Sequence, residues 1–203
     1  MYRLIVMCTA LTGLMAGGAM AGPAAGYENA EIAGVQAAAV APEMAIQAAE
    51  GKLRGRAVSF GLEKTATVNA YEVTIASNGT LQTVQVDPTT GAVIGVIPAG
   101  PDSLAADGLP ANAVGRAIQE PVSLATAVRN AQNEGHGRAL EAGYAVRHGQ
   151  MAIDVDVIRD GATHTLTVDS RSGQVAQATP DQTEQHENHA DNDADQTGGP
   201  DAD

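Results

Sequence analysis

The sequence predicts an α+β protein built from two repeats, each an α-helix packed on a small antiparallel β-sheet. Three observations carry that prediction. Two separate regions show apolar residues alternating with polar ones, short turn sequences such as Asn78-Gly79 and Asp160-Gly161 join the alternating runs, and a helix-forming segment precedes each region.

The elements follow in order. Met1-Tyr2-Arg3, the apolar and small-residue run Leu4 to Ala19, and Ala19-Met20-Ala21 together read as a secretory signal over residues 1–21 with an A-x-A cleavage site. The run is short and rich in Gly and Ala, so no stable membrane insertion is expected after cleavage. Residues 22–39 mix Gly, Ala and Glu without a period and read as a flexible leader, with a loose helix near Glu28–Val40 as the alternative.

The first module spans residues 40–98. Pro42 opens a helix, Glu43 suits its first turn, and Gly51 closes it, with Met44, Ala45, Ala48 and Ala49 along one face. Tyr71, Val73 and Ile75 then alternate with Glu72 and Thr74. After Ser77-Asn78-Gly79, Val84 and Val86 continue the alternation, and Asp87-Pro88-Thr89-Thr90-Gly91 turns the chain into Val93–Val96. Connections this short make the strands antiparallel. Residues 99–118, rich in Ala, Gly, Pro and Asp, read as a linker.

The second module, residues 119–178, repeats this order. A helix over Pro121–Ala131 presents Leu124, Ala127, Val128 and Ala131, and a strand is expected at Gly143–Arg147. Ile153, Val155 and Val157 then alternate with Asp154 and Asp156, and Asp160-Gly161 turns into a strand over Thr163–Val168. Residues 71–96 and 153–178 align without a gap at an offset of 82, with 7 of 26 positions identical, which marks an internal duplication. The helices align at an offset of 80, which places two extra residues between helix and sheet in the second copy.

Composition narrows the function. The chain has 24 acidic and 11 basic residues and a formal net charge of −13, a surface that repels nucleic acid and anionic lipid and favours cations or a basic partner. Cys8 precedes the cleavage site, so thiol nucleophiles and cysteine-held metals are excluded from the mature chain. Trp is absent and Phe60 is the one phenylalanine, which suits two small cores better than one large one. No nucleophile elbow, H-E-x-x-H helix or G-x-G-x-x-G loop is present, so a non-enzymatic protein is expected. Residues 179–203 are acidic, carry no basic residue, and read as a disordered tail.

Four residues recur at the module ends. Asp87 with Gly91, and Asp169 with Gly173, form a Val-Asp-x-x-x-Gly-x-Val close in which the carboxylate is placed to accept backbone N–H bonds. Together with Tyr71-Glu72-Val73 and Ile153-Asp154-Val155 preceded by an Ala-rich helix, these closes resemble the PepSY domain. The resemblance implies a helix packed on an antiparallel sheet in an exported bacterial protein, found in metallopeptidase propeptides and in stand-alone periplasmic or membrane proteins. Some stand-alone relatives resemble metal-binding proteins and have been associated with lanthanide ions. No peptidase sequence follows the modules, so action in trans on a separate peptidase is the form such a role is expected to take here.

Three functions follow as expectations, the third being a purely structural envelope protein. The first is a periplasmic accessory module that binds a protein or peptide, or modulates a peptidase; it predicts an open sheet edge or an exposed apolar groove. The second is binding of calcium or a lanthanide. It rests on Asp154 and Asp156, which share one strand face, with Asp160 and His164 across the hairpin, and it predicts several oxygen ligands converging on one ion. A solvated sheet face accounts for the same alternation. In the tail, Asp191, Asp193 and Asp195 open like a calcium loop, but Gln196 and Ala202 stand where such a loop has Gly and Glu.

Overall fold

The computed structural model describes residues 23–64, 68–100, 104–105 and 108–177. The signal segment and the acidic tail, with Asp191, Asp193 and Asp195, lie outside the described residues.

In each half a helix is followed by four antiparallel strands: α2 (Pro42–Leu53), β1 (Arg56–Lys64), β2 (Asn69–Ser77), β3 (Thr80–Val86) and β4 (Val93–Pro98), then α4 (Leu124–Gly135), β5 (Arg138–Arg147), β6 (Gln150–Arg159), β7 (Ala162–Asp169) and β8 (Val175–Gln177). The halves are joined edge to edge. β1 pairs with β5, giving one eight-stranded sheet in the order β4-β3-β2-β1-β5-β6-β7-β8. Tyr71, Val73 and Ile75 of β2 and Ile153, Val155 and Val157 of β6 are fully buried on one sheet face, against which α2 and α4 pack. A module of about 60 residues buries too little surface to be comfortable alone. Merging the sheets lets both helices share one core.

The helices correspond at an offset of 82 rather than 80: Pro42–Leu53 maps onto Leu124–Gly135 with no inserted residues. Both helices run past the expected ends, Gly51 and Ala131, and stop at C-caps in the left-handed region, Arg54 (φ 50°) and His136 (φ 50°). Gly55 and Gly137 follow. A Cβ there would lie 2.6 Å from the Ala76 carbonyl oxygen and 2.2 Å from that of Ile158, so the chain can pass this close to the sheet only as glycine. One turn earlier, Glu50 accepts a bond from Ala57 N–H (3.0 Å) and Gln132 accepts one from Ala139 N–H (3.1 Å).

Strand β1 is absent from the sequence-based expectation, and only the second half of β5 was expected. The reason is the same in both. Bulges between Ala57 and Ser59 and between Ala139 and Glu141 break the two-residue period, and Gly61 and Gly143 remove a side chain from it. Two further segments are more ordered than a leader and a linker require, the first following its alternative reading as a helix. The leader forms α1 (Pro23–Ala37), whose Val35 is fully buried against the core. In the linker, η1 (Ala111–Ala113) and α3 (Val114–Ala117) form, and Leu104, Leu109, Ala113 and Ala117 are buried, because an Ala-rich segment is small enough to lie close to the sheet.

Candidate functional site

The module ends are built alike. Asp87 Oδ1 accepts from the N–H groups of Thr89 and Thr90, both at 2.8 Å, and Asp169 Oδ1 accepts from those of Arg171 (3.1 Å) and Ser172 (2.7 Å). The Thr90 and Thr89 amides hold the Asp87 carboxyl below the usual carboxylate range. The Ser172 amide and hydroxyl, with the Arg171 amide, do the same for Asp169. Gly91 (φ 75°) and Gly173 (φ 74°) complete the turns with N–H bonds back to the Asp87 and Asp169 carbonyls. Both carboxylates thus have their hydrogen bonds within the turn.

Of the four residues considered as metal ligands, Asp154 and Asp156 share one sheet face, while Asp160 and His164 do not join them there. Asp154 Oδ2 accepts from Arg147 Nε at 2.9 Å and its Oδ1 from the Thr167 hydroxyl at 2.9 Å, while Asp156 accepts from the Thr165 hydroxyl at 2.6 Å. Asp160 occupies the turn itself with φ 54°, beside Arg159. His164 is opposite Val157, so strand alternation puts it on the helix-bearing face, away from Asp154 and Asp156. Period-two spacing identifies residues that share a face of one strand; which partner strand lies beside it depends on the register. No group of three or more His, Cys, Asp or Glu able to hold a metal occurs among the described residues.

The open edge of the sheet has a different character. Among the described residues β4 pairs only with β3, and Ile94, Val96 and Ile97 are 58%, 37% and 44% exposed. From Pro88 to Pro101 the chain carries no charged residue. Ala99 N–H donates to Leu81 at 3.1 Å, and alternation from that bond turns the backbone of Pro98 and Val96 away from β3. Pro98 therefore sits where its missing N–H costs the ladder nothing. Charge, the usual protection of an exposed edge, is absent here. The opposite edge, β8, spans Val175–Gln177 where the described residues end. Beside the end of β4, a cleft of about 420 Å³ opens between the β2–β3 hairpin and α3, lined by Leu81, Ala99, Val114 and Ile118 among others. The uncharged run was legible in the sequence, but which strand lay at the edge was not.

Among the described residues no helix is long and apolar enough to cross a membrane. No curated protein matches the chain. A crystal structure of a candidate lipoprotein from Clostridium difficile 630 is 18% identical, covering 66% of this chain and 88% of that one, with a TM-score of 0.37, too low to define a common fold. Residues 39–97, which hold α2 and β1–β3 and reach the penultimate residue of β4, match the model of the PepSY family, described as peptidase propeptide and YPEB domain, and this match falls on the first of the two architectural repeats.

Proposed function

We propose that this is a non-enzymatic, exported accessory protein that binds an extended segment of a partner protein by strand addition along β4. The supporting observation is the edge itself: six residues, uncharged, apolar, with no second strand partner among the described residues, and lying in the repeat that matches the PepSY family. Strand addition draws its affinity from backbone bonds and its selectivity from alternate side chains. Ile97 shares a sheet face with Thr83 and Val96 shares the other with Val84, so a bound strand meets apolar side chains on both faces. The family description makes an exported peptidase, bound in trans, the first partner to test.

Val96→Pro removes an outward N–H while leaving the bonds to β3 in place. Short peptides selected by display against the chain lacking residues 1–21 are expected to shift the amide resonances of Ile94 and Val96 and to lose at least tenfold in affinity for Val96→Pro. Equal affinity for both proteins would show that β4 is not the binding edge.

A further inference from the structure

The register between the halves has a symmetry of its own. Ser59 pairs with Gly143, Phe60 with Ala142, and Gly61 with Glu141. Subtracting the repeat offset of 82 turns these into 59 with 61, 60 with 60, and 61 with 59. Residue i of one module meets residue j of the other, and j meets i, which is the definition of an isologous two-fold contact. Side chains obey the same rule. Arg56 of the first module donates to the Val122 carbonyl of the second at 3.4 Å, and Arg138 of the second donates to the Val40 carbonyl of the first. Both pairs are related by the offset of 82.

We infer that the first strand of each module, β1 or β5, is a recognition surface for a second copy of the module, and that the pair on the two-fold axis, Phe60 with Ala142, directs each module to the other rather than to itself. At the axis a residue faces its own counterpart. Two first modules would place Phe60 against Phe60 in a buried site, each ring already packed beside Tyr71, whose ring centroid is 5.2 Å from that of Phe60. Two second modules would place Ala142 against Ala142 and leave a void. Only the mixed pair sets a ring against a methyl, and a close-packed interior penalises both alternatives. Discrimination therefore comes from misfit in the wrong pairs as much as from fit in the right one. With a linker of about twenty residues between the modules, this preference keeps pairing within one chain and suppresses pairing of like modules between chains.

A double-mutant cycle in the full chain tests the axis. Phe60→Ala and Ala142→Phe are each expected to lower the urea midpoint, and the double variant, which exchanges the two side chains across the axis, is expected to recover more than half of the loss caused by Phe60→Ala. Losses that simply add would overturn the inference. If either single variant does not fold, Phe60→Leu with Ala142→Val poses the same question with smaller volumes. Pairing preference is read in the intact protein by native mass spectrometry after a urea cycle. The unsubstituted chain is expected as a monomer, with dimers rising in Phe60→Ala; an equal share of dimers in both would overturn the inference.

Discussion

The two modules share a backbone and differ in what they put on it. Where the chain must turn or pass close to itself, they agree: Gly55 with Gly137, the bulges after Ala57 and Ala139, and the carboxylate-capped closes at Asp87 and Asp169. Where a side chain fills space, they have diverged in compensating ways. In the first module Leu62 pairs with Tyr71; in the second Tyr144 pairs with Ile153, so the tyrosine has moved to the adjacent strand. Both hydroxyls nevertheless reach equivalent carbonyls, Tyr71 to Val40 and Tyr144 to Val122. Backbone geometry admits few residues at a tight approach, whereas a core accepts any arrangement of the right volume and hydrogen bonding.

The comparison can be broken most severely at the glycines. Gly137→Ala places a methyl against the Ile158 carbonyl, and Gly55→Ala places one against the Ala76 carbonyl with more room. Each is expected to cost about 1–3 kcal/mol, the former more than the latter, by urea denaturation. Equal and negligible losses would show that the shared glycines are not steric necessities.

Tyrosine to phenylalanine changes are next in size. Tyr71→Phe and Tyr144→Phe each remove one donor from a carbonyl that an arginine of the other module also serves, so each is expected to cost about 1 kcal/mol. Burial pushes both phenols up, with Arg138 and Arg56 opposing. Because the folded value lies above the unfolded one, their contribution is full below about pH 10 and is lost as pH rises toward the folded value. Alkaline unfolding of either Phe variant should therefore be less steep than that of the parent.

The closes titrate in the opposite direction. Asp87 and Asp169 have folded values below the unfolded one, so their stabilisation is present above about pH 4 and is lost as pH falls through the folded values. Asp87→Ala and Asp169→Ala should each lower the melting temperature at neutral pH and flatten its fall in acid, to a similar degree if the two turns are equivalent. The smallest effect belongs to the helix ends: Arg54→Gly and His136→Gly relieve a left-handed backbone and should raise stability by about 1 kcal/mol or less.

Much of this architecture was legible without coordinates. Residues Tyr71 to Val96 and Ile153 to Val168 announced their strands through period-two alternation, and Asn78-Gly79, Asp160-Gly161 and the two Asp-x-x-x-Gly closes announced their turns. Those signals are local, arising from neighbouring residues that choose a face or a left-handed conformation. Strand β1 was hidden because a bulge and a glycine interrupt its alternation, and the candidate metal set dispersed because His164 shares a hairpin with Asp154 and Asp156 but not a face.

By itself, then, the amino-acid order determined the class of fold, the turn chemistry and the uncharged run from Pro88 to Pro101, since each depends on residues close together along the chain, and the duplication, since two stretches can be compared position by position without coordinates. Tertiary structure alone decided that two small sheets become one, that Phe60 meets Ala142 on a two-fold axis, and that β4 is left at the edge. These depend on which distant strands find each other, a choice set by burial and packing summed over the whole core rather than by any short stretch of sequence.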